Sequence, residues 1–410
     1  MVSNFAVLRK FIINYKAAYT GLPRSAWLLS LVVLINRSGS MVLFFLVLYL
    51  TTELDFSISK AGQMVSVYGF GSIFGAYLGG WISDRIGTLK VMTFSLVVGG
   101  LGFVLLSFLT NPLPIGIALF FLAVIAESLR PANSTALAMV SPPESRPRAF
   151  ALNRMAVNLG VTIGPALGGF LALYNYHLLF WIDGLTCIIA ACLLWILFHK
   201  SEINRVVEVT NNLVASIKPW KDSIFLMILF LIFLLGNIFI QVFNTWPLYL
   251  RQFYNLTEDQ IGLLLALNGI IIVIVELPLI YRLEGKRHLN IMALGSFFLA
   301  SGFGILPFGD TFIFAVVTVI IFTIGEMLVF PLVAGFIANR ATDENRGKYM
   351  GMFGFTFSLS FVVGPLLGSW IYDHISPDML WFAIIGTGLI TLPGFLFVET
   401  ILAKSNLPHK

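Results

Sequence analysis

The sequence predicts an all-α membrane protein: twelve transmembrane helices in two six-helix bundles related by pseudo-two-fold symmetry. Three observations carry this. The 410 residues are 58% hydrophobic and only 11% charged, the apolar residues fall into twelve long runs, and the two halves share one register offset by 200 positions. A water-soluble chain of this length needs far more charge to cover its surface. A bilayer span takes about 20 apolar residues, so twelve spans use roughly 240. That leaves short loops and no room for a large soluble domain. The 36 glycines suit close contact between helices in lipid. Six of the eight tryptophans fall near predicted helix ends, where interfacial anchors sit.

Hydrophobic runs bounded by Gly, Pro and charge place the spans at 25–50, 61–82, 89–109, 113–139, 149–173, 177–199, 222–250, 260–282, 288–309, 312–338, 347–373 and 378–400. Of the 25 Lys and Arg residues, 20 lie on one side of this topology. They occupy the N-terminal arm (Arg9, Lys10, Lys16, Arg24), the loops after even-numbered spans, and the C-terminal tail. The opposite side carries only Lys60 and Arg251. Positive charge concentrates in cytoplasmic loops, so both termini are expected in the cytoplasm. The arm is polar and basic, and the run after it is too long for a cleavable signal.

The same asymmetry accounts for the net charge of +5 without a nucleic-acid partner. Cys187 and Cys192 stand five apart on one apolar segment, roughly 8 Å between Cα atoms on a helix, which is too far for a disulfide. The histidines at 177, 199, 288, 374 and 409 form no metal-ligand pair. The sequence has no phosphate-binding loop, zinc spacing or nucleophile elbow. Neither an enzyme nor a bound metal or other cofactor is expected.

The repeat holds across six spans. Tyr49-Leu50 matches Tyr249-Leu250; Gly62 and Gly69 match Gly262 and Gly269; Asp84 matches Glu284. Met92 matches Met292, Pro131 matches Pro331, and Arg146 matches Arg346. Gly164-Pro165 and Gly168 match Gly364-Pro365 and Gly368, and Trp181 matches Trp381. The expected organisation is a first bundle with its arm over 1–199, a cytoplasmic linker over 200–221 and a second bundle over 222–410. Two parallel six-span repeats with a site between them near the midplane is the arrangement of a rocking transporter.

The segment Gly80-Trp-Ile-Ser-Asp84-Arg85-Ile-Gly87-Thr-Leu-Lys90 resembles the loop signature of the major facilitator superfamily between spans two and three. It departs from the pattern where Thr88 and Leu89 delay the basic residue to Lys90. The second copy, Arg282-Leu-Glu284-Gly-Lys286-Arg287, is degenerate. On span five, Gly160-Val-Thr-Ile-Gly164-Pro165-Ala-Leu-Gly168-Gly169 is similar to the glycine–proline signature of proton-driven antiporters in that superfamily. With Glu127-Ser-Leu-Arg130-Pro131-Ala-Asn133 on span four, nearly the whole chain resembles bacterial twelve-span drug:proton antiporters. The resemblance implies the major facilitator fold, a bacterial inner-membrane location, a functional monomer, and a latch role for Asp84. It does not fix a substrate.

The residues read independently as follows. Glycines 160, 164 and 168 recur every four positions, so one helix face has no side chains and a neighbour can approach. Pro165 removes one backbone hydrogen bond and permits a bend. The stripe is either a packing seam or a hinge and seal between states. Asp84 and Arg85 form either an ordinary charged turn or a gate in which Asp84 meets the partial positive charge at the start of span eleven.

An ionisable group at mid-bilayer costs about 2.5–3.5 kcal/mol on insertion scales, so it needs a partner, a wet cavity or a function. Arg37, Glu127, Arg130 and Glu326 fall near mid-span. Glu127 and Arg130, three apart, share a helix face. They form either a structural ion pair or a proton site that Arg130 tunes. Pro131 and Pro331 loosen their helices nearby. Arg37 has no acid on its own helix and either pairs with Glu127 or Glu326 or meets an anionic substrate. Glu276 and Asp183 read as secondary cavity or helix-end groups. Asn158, Asn237, Gln241, Asn244, Asn268, Tyr68 and Phe45 are candidate cavity-lining residues, each also explicable as packing.

These readings converge on alternating access with Glu127, Glu326 and Arg130 handling protons, and a small-molecule substrate carried through the bilayer. The expected activity is proton-coupled export of amphipathic small molecules. The alternative is a proton-coupled transporter for one polar anionic metabolite, such as a carboxylate siderophore.

Overall fold

The computed structural model describes residues 21–142, 145–199, 219–283, 286–340 and 346–405. The N-terminal arm, the linker from 200 to 218, and Glu284 lie outside the described residues. Within them the chain is helical and strand-free.

Span one is Arg24–Ser38 followed by Val42–Thr52, span two Ile58–Ile86, span three Thr88–Leu106. Span four is Pro112–Glu127 followed by Leu129–Val140, span five Arg146–Tyr174, span six His177–Phe198. Span seven runs as Ser223–Phe239, a tight turn Ile240–Phe243, and Thr245–Phe253. Spans eight to twelve are Glu258–Leu283, His288–Gly304, Phe312–Arg340, Arg346–His374 and Pro377–Ser405. Ten of these are long and apolar enough to cross a membrane. The other two are span two, diluted by Gly and Ser, and span nine, with 17 residues. Large apolar side chains stand exposed around the outside, Phe94, Leu105, Phe121, Trp195 and Leu389 among them. A soluble monomer rarely exposes so much; here lipid covers it.

Local chemistry sets the ends. The Ser57 hydroxyl accepts from the Lys60 N–H at 3.3 Å and starts span two. Gly87, at φ 98°, ends it and begins span three at once, a conformation that favours glycine. The matched far-side turns carry a further trace of the repeat: Asp55 and Asn255, 200 apart, both take positive φ, at 54° and 53°. Phe56 N–H and Leu256 N–H close these turns onto Leu50 O and Leu250 O at 2.9 and 3.2 Å.

Spans one and seven are both interrupted near mid-depth, and the Gly–Pro stripes lie against the interruptions. A Cβ added to Gly164 would lie 2.9 Å from Ser40 O and 3.2 Å from Arg37 O, and one at Gly168 would meet Met41 and Phe45. In the second half, Gly364 faces Ile240 and Asn237, and Gly368 faces Gln241. Gly160, Gly164 and Gly168 therefore form a packing seam inside the first six spans. The seam between the two halves uses the next face of the same helix: Gly262 abuts Pro165 O, Gly169 abuts Glu258 O, and Gly269 meets Thr162. Across the molecule, Gly62 meets Ser369 and Gly69 meets Phe361 O.

These inter-half contacts run from mid-depth to the side opposite the termini. There the Ser59 N–H donates to Asp373 Oδ2 at 3.2 Å, and Tyr176 OH to Glu258 Oε1 at 3.0 Å. On span eleven, Gly351 and Gly354 continue the face of Phe361, Pro365 and Ser369 by helical period, yet nothing lies within 4 Å of a Cβ at either. Between spans two and eleven the halves are thus joined on the far side and apart on the side of the termini, while spans five and eight stay joined there through Arg154 and Glu276.

Gly164→Val is expected to lower the thermal midpoint in detergent, at a cost of about 1–3 kcal/mol from overpacking against backbone oxygens. Gly351→Val, in open space, should leave the midpoint unchanged. Equal effects from the two would contradict the seam.

Candidate functional site

Where the halves meet at mid-depth, a cavity of about 100 Å³ lies between spans one, five, seven, eight and ten. Its wall is aromatic and aliphatic: Phe44, Phe239, Phe243, Phe322, Leu265 and Ile272, with Pro165 and Gly269 from the glycine seam. Three side chains supply its polarity, Asn158, Asn268 and Glu326. Asn268 Nδ2 donates to Glu326 Oε2 at 2.9 Å and to Thr323 Oγ1 at 3.0 Å, which orients the carboxylate across spans eight and ten. Among the described residues, no Lys or Arg is in the wall. Phe44 and Phe243 approach across the halves with ring centroids 4.5 Å apart. Towards the termini, Arg154 of span five pairs with Glu276 of span eight.

The expected cluster of mid-membrane charges divides. Glu326 alone lines the cavity. Glu127 closes the first piece of span four, and the second opens at Leu129. Ser128 keeps helical dihedrals, φ −67° and ψ −21°, yet Glu127 and Arg130 form no ion pair, and Arg130 is exposed. Arg37, in the last turn before the break in span one, makes no ion pair with Glu127 or Glu326 among the described residues. Arg37 and Glu127 instead lie within electrostatic range of the buried Tyr68, together with Asp183 and Cys187.

Of the expected lining residues, Asn158 and Asn268 take that place. Phe45 and Tyr68 are core residues, 0% and 4% exposed. Gln241 and Asn244 are enclosed as well, and their amides hold the interruption of span seven. Gln241 Nε2 donates to Gly364 O at 3.0 Å, and Asn244 Nδ2 donates to Ser369 Oγ at 3.0 Å and to Gln241 Oε1 at 3.2 Å. Asn237 donates to Phe233 O on its own helix at 2.6 Å. The four phenylalanines of the wall were not singled out by sequence; nothing in a chain with 38 of them marks Phe44 above its neighbour Phe45.

Asp84 and Arg85 sit exposed at the end of span two. The Arg85 guanidinium stacks over Trp81 at 3.6 Å from the ring centroid. Asp84 has no ion pair among the described residues. Glu276 and Asp183, ranked as secondary, prove to be structural anchors: the first bridges the halves, the second caps the second piece of span one through Met41 and Val42 N–H, each at 3.4 Å.

Reversing the bridge by Arg154→Glu should slow transport severalfold and lower the thermal midpoint, because it sets a second carboxylate against Glu276, whose side chain is only 10% exposed. The double exchange with Glu276→Arg should recover the rate. Failure of the exchange to recover it would remove the bridge from the working cycle.

A family model described as Major Facilitator Superfamily matches residues 28–347 and 328–409. A Na(+), Li(+), K(+)/H(+) antiporter of Planococcus maritimus is 25% identical over 404 residues, covering 88% of this chain and 92% of that protein. Multidrug resistance protein MdtH of Proteus mirabilis (strain HI4320) is 24% identical over 323 residues, covering 77% and 79%. A solved POT family transporter in complex with 5-aminolevulinic acid superposes with a TM-score of 0.78 at 17% identity, covering 95% of this chain and 98% of that one.

Proposed function

The chain belongs to the major facilitator superfamily of multi-pass membrane transporters, and from that premise we propose that it exports amphipathic small molecules in exchange for protons by alternating access. One observation carries the reading: Glu326 is a single carboxylate set in an aromatic wall between the two halves, tethered by Asn268. A carboxylate in such a place exchanges one proton for one positively charged or strongly dipolar guest. Aromatic faces attract cations and bury apolar bulk. The relatives named as a cation/proton antiporter and a multidrug resistance protein are in keeping with this.

The anionic-metabolite alternative loses its support, since neither Arg37 nor Arg130 lines the cavity. Both termini lie in the cytoplasm of a bacterial inner membrane on this reading, from the charge asymmetry. The seam that is open on the termini side is then a cytoplasm-facing state. The first 199 residues and those from 222 onward rock as two bodies, with Asp84 latching the cytoplasmic ends when they meet, and Glu127 serving the proton path beside Tyr68.

The test is ethidium uptake into everted membrane vesicles containing the chain. Uptake should rise on imposing an acid-inside gradient and collapse with an uncoupler. Vesicles that take up ethidium equally with and without the gradient contradict proton coupling. Gradient-driven uptake of an anionic siderophore in place of the dye would restore the alternative.

A further inference from the structure

The two interrupted helices are held by different chemistry. Span seven's interruption is tied by neutral amides, Gln241 and Asn244, to Gly364 O and Ser369. Span one's is tied by an acid. Asp183 of span six is 3% exposed, and its Oδ2 accepts from Met41 and Val42 N–H, both at 3.4 Å. These are the unsatisfied amides that open the Val42–Thr52 piece. One turn further along span six, the Cys187 thiol accepts from Asn36 Nδ2 at 3.2 Å, so span six grips both sides of the break. The position matching Asp183 in the repeat is Ala383. An amide network does not titrate at ordinary pH; a buried carboxylate does.

We propose that Asp183 is a second proton-binding site, apart from the cavity, whose charge sets how firmly the Val42–Thr52 piece of span one is held. Asp183 takes part in no ion pair among the described residues. Arg37 acts on it from span one, and Cys187 lies beside it on its own helix. Tyr68 of span two and Glu127 of span four belong to the same electrostatic group. Span three packs on this face where Gly100 O lies 2.6 Å from a Cβ at Gly184, and its only titratable side chain is Lys90, at its start. Span five has none between Asn158 and Leu173.

An ionised carboxylate taken out of water costs more than the start of a helix returns. Long hydrogen bonds, as here, return less still. The group therefore passes between carboxylate and neutral acid by exchanging one proton with water, forming and breaking only the O–H bond. As a carboxylate it caps the piece. As an acid protonated on Oδ1 it still accepts through Oδ2 but without the charge, so its hold on the two amides weakens. The consequence travels a short way: two residues beyond Val42, Phe44 lines the cavity and packs on Phe243 of the other half. Protonation at Asp183 thus loosens one of the contacts that join the halves between mid-depth and the far side, independently of any substrate.

The experiment needs no substrate. Infrared difference spectra between acidic and alkaline buffer are recorded on the purified protein, with and without Asp183→Asn or Glu326→Gln. One carboxylic-acid carbonyl band should vanish in Asp183→Asn and survive Glu326→Gln. In a Cys192→Ala background, spin labels on Glu53 and Ile375 report the far-side separation. Acidification should lengthen it in the parent and leave it unmoved in Asp183→Asn. A spectrum unchanged by Asp183→Asn overturns the site. A lost band with an unaltered distance response overturns its link to span one. Should Asp183→Asn not fold, Asp183→Glu asks the same question: the band must shift with the new carboxyl, and a band that stays put overturns the site.

Discussion

Glu326→Gln is expected to abolish proton-driven ethidium accumulation while leaving its exchange down a gradient. Glutamine keeps the shape, and its amide oxygen can still accept from Asn268, now 2.9 Å from Oε2. It carries neither charge nor an exchangeable proton. Exchange of one proton for one monovalent cation moves no net charge, so the pH difference alone drives it; one pH unit is worth about 1.4 kcal/mol, a tenfold ratio. Loss of the coupled proton therefore costs about tenfold in accumulation for each pH unit across the membrane. Binding tells the same story. In the parent, ethidium should bind more weakly as acid neutralises the carboxylate; in the variant, binding should be weak and flat with pH. A variant that concentrates the dye as well as the parent would falsify the assignment of Glu326 to coupling.

The architecture was legible because membrane physics leaves few choices. Twelve apolar runs and the 200-residue offset required two like bundles. The offset even anticipated geometry it did not include, the paired turns at Asp55 and Asn255. The site was legible in part. Glu326 and Asn268 stood out since polar groups at mid-membrane are costly, and that signal does not depend on neighbours. The same signal misled at Gln241 and Asn244, whose cost is met by the Gly364 and Pro365 oxygens of span eleven packed beside the interruption of span seven. At Glu127 and Arg130 the i,i+3 spacing did not make an ion pair, because Arg130 is exposed instead of turned back along the helix. Asp183 was undervalued for the converse reason: its role depends on the break in span one, and Gly39-Ser40 does not announce a break inside so apolar a run.

Arg340→Ala is expected to destabilise the second half more than any other removal of a single charge at the termini side. Asp222 precedes span seven and caps it, accepting from Phe225 N–H at 3.1 Å. Arg340 at the end of span ten grips both its oxygens, Nε to Oδ2 at 2.6 Å and Nη2 to Oδ1 at 2.7 Å. Tyr349 OH of span eleven adds a third donor at 2.9 Å. Three helices are thus tied at one carboxylate whose side chain is 9% exposed. Removing the guanidinium leaves that charge buried without its partner, at a cost of about 3–5 kcal/mol. Arg287→Ala, which breaks the pair with Glu399, should cost under about 1 kcal/mol, since Arg287 is 73% exposed. The pH dependence follows from the same contacts. Burial pushes the Asp222 carboxyl up, but the donors from Arg340, Phe225 and Tyr349 together outweigh it and hold the group below its usual range. A carboxylate depressed on folding stabilises fully above its unfolded value, about 3.9, and the contribution fades as pH falls through the folded value. The gap in thermal midpoint between parent and Arg340→Ala should therefore be widest near neutrality and narrow in acid below about pH 4. A gap no larger than that of Arg287→Ala, or one that widens in acid, would mean that Asp222 does not tie these helices together.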